Sequence, residues 1–447
     1  MRKLFLAATA LSVLTCSISG FAAVSADEAS KLKTTLTPLG GDKAANADGS
    51  IPAWDGKASV ASTPTVGDIP SQPFPGEQPV LQISAQNMSS YADKLSEGTQ
   101  ALLKKYPNSF RVDVYPTHRT AVASQSVYDN TFKNATSCKT KAGGNSVEGC
   151  FGGIPFPIPK DGVEAIWNYL LRIEPEATDV KFQNFVITAD GTRTLATQNE
   201  QTNQYPYYYK DGSVEKWNGE YWLNRFSTVA PPFKAGESLV LRDSVDTSTA
   251  RQTWQYLVGQ RRVRKAPTVA YDTPDFVSSG ANYFDEVMGF MGSPDRFQWK
   301  LVGKREMYVP YNTNALVTSK DNDAFAKFHM NPDKLRWELH RVWELEATVV
   351  AGKHHAVPKR RYYLDEDTWL LVLADGYDSE GKLWRTTQGL PFVVPSVPAV
   401  LNKPVAIFDL QKGTMSSVQF LQTLRVLPQR KPESYFTGDS VAADAAR

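Results

Sequence analysis

The residues of this 447-residue chain best equipped for chemistry are a few histidines, an acidic turn and a basic strand. His340, His354 and His355 lie near one another in sequence, and imidazoles in threes are a metal-ligand set. His354 and His355 are adjacent, however, and adjacent residues on a strand face opposite ways. They are expected beside a basic surface turn, and neither a metal nor a cofactor is assigned. Asp365, Glu366 and Asp367 could supply the carboxylate pair of a glycoside hydrolase, but in a hairpin turn solvated acids are expected. Arg261-Arg262-Val263-Arg264-Lys265 fits an edge strand whose charges block edge-to-edge pairing; its functional alternative is a rim for an acidic partner or lipid headgroups. No G-x-S-x-G elbow, H-E-x-x-H, phosphate-binding G-x-x-x-x-G-K-[ST] or dinucleotide-binding G-x-G-x-x-G occurs. No catalytic residue is assigned.

What remains is aromatic, and strands must position it. From Trp337 the odd positions Leu339, Trp343, Leu345, Ala347 and Val349 are apolar, while Glu338, His340, Glu344, Glu346 and Thr348 alternate with them. This is a long strand with one buried and one wet face. Strands from Arg361, Trp369 and Lys382 follow, separated by turns at 365–368 and 378–381, so the stretch is an antiparallel meander. Further strands are expected at 205–209, 221–226, 238–241, 253–258, 261–264, 297–302, 306–311 and 405–409. Helices are expected at 84–106 and 161–172, with short ones at 324–329 and 332–336. In the second, Asp161 and Glu164 form a capping-box pattern, and Val163, Ile166, Trp167, Leu170 and Leu171 make one apolar face. A sheet this apolar with so few helices to cover it can leave a concavity for an apolar ligand. The candidate ligand-binding set is Trp167, Trp254, Tyr256, Trp299, Trp337, Leu339, Trp343, Trp369 and Leu371, with helix 161–172 as the lid. The alternative is that these side chains only pack.

Arg2 and Lys3, an apolar stretch at 4–14 and Val24-Ser25-Ala26 read as a signal peptide over 1–26, cleaved after Ala26 into the periplasm. Arg2 and Lys3 account for the whole excess of 49 basic over 47 acidic residues, so the exported chain is near neutral, which argues against nucleic acid. Cys16 leaves with that segment. Cys138 and Cys150 form an even pair around a Gly-rich loop, and in an oxidising compartment a disulfide is expected. Residues 27–83, rich in Pro, Gly, Ala and Asp, are expected to be an extended arm on a domain over 84–447.

Several blocks carry a resemblance: Thr37-Pro38-Leu39-Gly40 with Asn46 to Trp54, Tyr91 to Gly98, Gly152 to Pro157, Gln260 to Thr268, Trp299 to Lys304, and the meander. Together the chain resembles the exported bacterial proteins catalogued as domain of unknown function 1329, within the LolA/LolB-like group of outer-membrane lipoprotein-sorting proteins. The resemblance implies a mainly β (α+β) fold: a large, curved antiparallel half-barrel with helices plugging its concave face. It also implies a periplasmic carrier for a lipid or other hydrophobic molecule, working with an RND-type exporter and an outer-membrane β-barrel partner. A structural or adaptor subunit with a filled core is the second reading, and an envelope hydrolase the third.

Overall fold

A computed structural model of the chain describes residues 23–57, 60, 65–249, 251–266 and 269–445. The signal-peptide stretch therefore lies outside the described residues as far as residue 22. Fifteen strands make one open sheet: β1 Leu81–Ile83, β2 Val112–Val114, β3 Ala177–Ile187, β4 Arg193–Gln204, β5 Glu220–Ala230, β6 Ser238–Ser244, β7 Gln252–Leu257, β8 Arg262–Lys265, β9 Phe297–Pro310, β10 Trp337–Val349, β11 Lys359–Asp365, β12 Leu371–Tyr377, β13 Leu383–Gly389, β14 Val405–Asp409 and β15 Thr414–Val426. The order is β8-β7-β6-β5-β4-β3-β15-β14-β13-β12-β11-β10-β2-β1, with β9 also on β10. Every pairing is antiparallel except a single parallel one, Trp337 with Val114. Bulges in β4, β5, β9, β12 and β15 bend the strands, so the sheet curves without closing. The expected half-barrel is the observed fold.

Seven helices accompany it among the described residues: α1 Ala26–Ser30, α2 Glu97–Lys105, α3 Gln125–Ser137, α4 Gly162–Leu170, α5 Asn314–Val317, α6 Asp321–Ala324 and α7 Gly438–Ala445. Helix α4 starts where the capping pattern predicts, with Asp161 accepting from Glu164 N, but the Glu164 carboxylate accepts from Lys160 N rather than from the cap. The helix sits so closely on β9 that a Cβ on Gly162 would lie 2.6 Å from the Trp299 carbonyl carbon. Cys138 and Cys150 are bonded, as expected.

Several expectations are corrected. The helix at 84–106 is a 3₁₀ stretch, Met88–Lys94, and then α2, because Ser96 caps α2 by accepting from Thr99 N. The strands at 297–302 and 306–311 are one, β9, carried through by a bulge at Gly303. Residues 205–209 contain a 3₁₀ turn, Pro206–Tyr208, since Pro206 has no N–H for a ladder. The short helices fall at α5 and α6 instead of 324–329 and 332–336. The supposedly wet face of β10 is dry where it matters, with Glu338 0% and His340 1% exposed.

Those buried charges dock the arm. Arg119 grips Asp367 with two bonds of 2.7 and 2.6 Å and donates onward to the carbonyls of Asp42 and Pro52. Arg341 pairs with Glu366 at 2.8 Å and donates to the Ala44 carbonyl, while Glu366 accepts from Asp42 N. The turn acids are thus buried partners rather than solvated ones. His340 lies between Glu338 at 3.1 Å and Asp365 at 3.2 Å. Further out, Val24 N donates to the Ala135 carbonyl and Ser25 caps α1, so cutting after Ala26 would remove that cap. Gly40 takes φ +101° because any Cβ would strike Pro157 O.

Two outcomes are expected. Replacing Cys138 and Cys150 by Ser should lower unfolding free energy by about 3 kcal/mol, measured by urea denaturation. Burial alone would lower the His340 pKa, but the hydrogen bonds and charges of Asp365 and Glu338 outweigh it and push it up to about 9. The unfolded imidazole titrates at about 6.5, so this proton's stabilisation is complete below that pH and lost as pH rises through 9, about 3 kcal/mol in all. Urea midpoints at pH 6.5 and 9.5 should differ accordingly, and His340→Gln should flatten the difference.

Candidate functional site between the sheet and the plug

Between β8 and β9 the chain from 269 to 296 forms no strand or α-helix and crosses the inner face with three 3₁₀ turns, Phe276–Ser278, Phe284–Glu286 and Pro294–Arg296. We call it the plug. Its own turns pair part of its backbone, as in Asp275 N to Asn282 O and Phe284 N to Thr273 O, and carbonyls left over need partners from other elements. Thr197 of β4 donates to Val277 O at 2.8 Å, Lys234 to Phe276 O at 3.2 Å, and Tyr169 of α4 to Met288 O at 2.5 Å. Two buried carboxylates fasten its middle. Asp285 is paired with Arg360 and His355, and Glu286 takes two bonds from Arg385. Burial would raise the Asp285 pKa, but Arg360 and His355 hold it down to about 2. Tyr271, Ser279 and Met288 all stand at positive φ, so the plug carries backbone strain of order 1 kcal/mol at each.

Beneath the plug lies a cavity of about 40 Å³. Its walls are apolar: Phe182 from β3, Trp222 and Phe226 from β5, Leu239 and Leu241 from β6, Val418 from β15. The plug contributes Val277, Phe284, Val287 and Met291 as the roof. The floor is different. Asn184, Gln201, Asn224 and Gln419 line it, and Asp275 is the one charged residue among the lining groups. Behind them β4 turns Thr197, Asn199, Gln201 and Asn203 to one side, all buried. Gln419 stands at φ +56° inside the β15 bulge, which takes it out of the regular ladder. Burial pushes the Asp275 pKa up to about 6 against hydrogen bonds from Asn282, Val277 N and Ser278.

None of the nine sequence-predicted site residues lines this cavity. Trp167, Trp299, Trp369 and Leu371 share one core with Trp343 packed against it, and Trp343 stacks on Trp369 at 6.1 Å. Three of the indole N–H groups are taken by carbonyls, Trp167 by Gly144, Trp299 by Pro294 and Trp369 by Leu39, whereas the Trp343 N–H is buried without a partner among the described residues. Trp337 and Leu339 belong to the second large core, away from α4, so α4 does not cover the whole set. Trp254 and Tyr256 pack with Phe436 and with Val441 of α7. Trp167 also borders a cleft of about 160 Å³ with Tyr221, Arg251 and Tyr271. The histidines split: His354 is exposed, whereas His340 and His355 are buried, His340 between Glu338 and Asp365 and His355 with its Nε2 2.9 Å from Asp285. His340, Asp365 and Asp367 approach one another closely enough for a metal, but Arg119 already neutralises Asp367 at 2.6 Å, and a second cation there would meet its repulsion. Arg262, Arg264 and Lys265 occupy the expected edge strand, β8, and are exposed.

Sequence reasoning missed the cavity because its floor looks like loop. The available signal was Trp222-x-Asn224-x-Phe226, an amide in the apolar phase of a strand.

Asp275 yields a test. Its folded pKa of about 6 exceeds the ordinary 3.8, so its proton stabilises the plug fully below about pH 4 and ceases to as pH rises through 6. The protection factors of the amides at 276–282, the intrinsic exchange rate at each pH over the observed rate, should therefore fall between pH 5 and 7 by about tenfold. In Asp275→Asn the protection factors should stay level over the same range.

The model of the family DUF1329, described as protein of unknown function, matches residues 82–442. An uncharacterized protein of Pseudomonas aeruginosa is 40% identical over 397 residues, 85% of this chain and 84% of its own length. Among solved structures, a DUF1329 family protein from Desulfovibrio piger aligns with a TM-score of 0.43 and 13% identity, covering 62% of this chain and 95% of that one. A LolA superfamily protein from Nitrosomonas europaea aligns with a TM-score of 0.34 and 11% identity, covering 60% and 94%. With a family match over most of its length and a relative this similar, the chain belongs to the DUF1329 family.

Proposed function

We propose that the protein is a periplasmic carrier for a lipid or similarly apolar molecule, and that its cargo enters between the inner face of the sheet and the plug. The observation that carries this reading is the apolar-walled cavity under a segment with no regular structure of its own. At about 40 Å³ it has room for little more than a water, so cargo has to displace the plug. The plug's backbone strain favours that displacement, and burial of cargo against Phe182, Trp222, Phe226, Leu239 and Leu241 replaces the apolar contacts it gives up. The bonded Cys138–Cys150 pair suits an oxidising compartment. The RND-type exporter and outer-membrane barrel partner rest on the sequence resemblance and belong to this proposal as its donor and acceptor. Of the nine predicted aromatic and aliphatic residues, Trp167, Trp299, Trp369 and Leu371 share a core with the cavity's Trp222, Phe226, Leu239 and Leu241 and serve to pack the structure beside it.

One observation favours the adaptor reading instead: the plug is held by two buried carboxylates, each paired with an arginine. A binding assay with a fluorescent acyl probe separates the two. Saturable one-to-one binding is expected, and Val418→Phe, which fills the cavity at a cost of about 1–3 kcal/mol, should abolish it while the circular dichroism spectrum is retained. A wild-type protein that never binds the probe, with Val418→Phe still active in the envelope, leaves the adaptor reading standing.

A further inference from the structure

The polar floor selects among apolar molecules. Asn203 Oδ1 accepts from Trp222 Nε1 at 3.0 Å and from Asn224 Nδ2 at 2.8 Å. An indole N–H can only donate, so the Asn203 atom it meets must be oxygen. That oxygen in turn obliges Asn224 to present its nitrogen there. The other end of the Asn224 amide, Oδ1, is thereby fixed as an acceptor, and it has no hydrogen-bond partner although the residue is 0% exposed. Gln419 Oε1 is a second buried acceptor without a partner, on a residue 6% exposed. Both residues line the cavity. The cavity admits little more than a water, so cargo that takes its place must bring a donor of its own or leave both acceptors unpaired, which is costly.

The charge around them points the same way. No Lys, Arg or His is among the residues lining the cavity, and Asp275 is. Lys234 donates to the Phe276 carbonyl of the plug and is not among the residues lining the cavity. An ionised carboxylate or phosphate brought here would lose its hydration and meet two acceptor oxygens fixed on the sheet, with no cation among the lining residues to offset either.

We infer that the cargo is an apolar molecule carrying an uncharged hydrogen-bond donor, a hydroxyl or amide N–H, held by Asn224 Oδ1 and Gln419 Oε1. This rests on the carrier reading, and it excludes free fatty acids as preferred cargo.

Three probes with one chain length test it: dodecan-1-ol, dodecanamide and dodecanoate, each competing with a fluorescent acyl probe at pH 8 on the whole exported protein. The alcohol and the amide should bind about tenfold or more tightly than the carboxylate. Asn224→Leu should bring the three affinities together, and Gln419→Met should narrow the gap. Dodecanoate binding as tightly as the alcohol to the wild type overturns the inference and leaves the carrier reading intact; this ranking needs no variant to fold. A preference that survives in both variants overturns the assignment to these amides. No binding by any of the three overturns the inference and the carrier reading together.

Discussion

Chain without a ladder must have its backbone polar groups satisfied by something; in this fold turns within the irregular segments pair many of them, and side chains fixed on other elements supply partners for carbonyls the turns leave over. The sheet is too large for its helices to cover, so the arm and the plug lie on it as irregular chain. Each then needs donors for its carbonyls and acceptors for its amides. Arg119 and Arg341 serve the arm at Asp42, Ala44 and Pro52, while Thr197, Lys234 and Tyr169 serve the plug. A guanidinium buried for this purpose needs a counter-charge, which explains Glu366 and Asp367 at the arm. Buried acids that would suggest catalysis in isolation are accounted for by this need.

The same requirement bears on whether the plug can move. Deleting one partner of a buried pair such as Asp285–Arg360 strands the other charge without water and costs several kcal/mol. Separating the whole pair into solvent is a different process, because both groups regain hydration. The net worth of such a pair is often near zero against that reference. Tight ion pairing is therefore compatible with a plug that lifts as a unit, and a large loss on mutating Asp285 or Arg360 would not distinguish a movable plug from a fixed one. What opposes lifting is the apolar roof, Val277, Phe284, Val287 and Met291, and apolar cargo can take its place.

Much of the fold was legible where one face of an element is apolar and the other is wet. The meander, the start of α4 and the edge strand β8 follow from alternation, capping chemistry and charge. The illegible parts share one cause, polar residues that are buried. Strands β3 and β4 escaped because Thr197, Asn199, Gln201 and Asn203 look like loop. Glu338 and His340 look like a wet face because their partners Arg336, Asn312 and Asp365 are set by tertiary pairing. The site failed for the converse reason. A Trp in a core and a Trp against a ligand have the same type and periodicity, so Trp337 and Trp369 could not be told from Trp222 by spacing.

An amide-lined strand in the middle of a sheet is a poor choice if stability alone were at stake, since Val or Ile would pack better there. Several of the amides are paired among themselves and with neighbouring threonines: Asn184 and Asn199 both donate to Thr197, Thr228 to Asn199, and Asn224 to Asn203. A closed network of this kind costs little, and it gives each side chain a single orientation. The network ends at Asn224 and Gln419, where each leaves one oxygen unpaired at the cavity. An internal defect would fall anywhere in such a network. Both of these fall on the surface where the plug and the sheet part company, where a passing molecule could complete them.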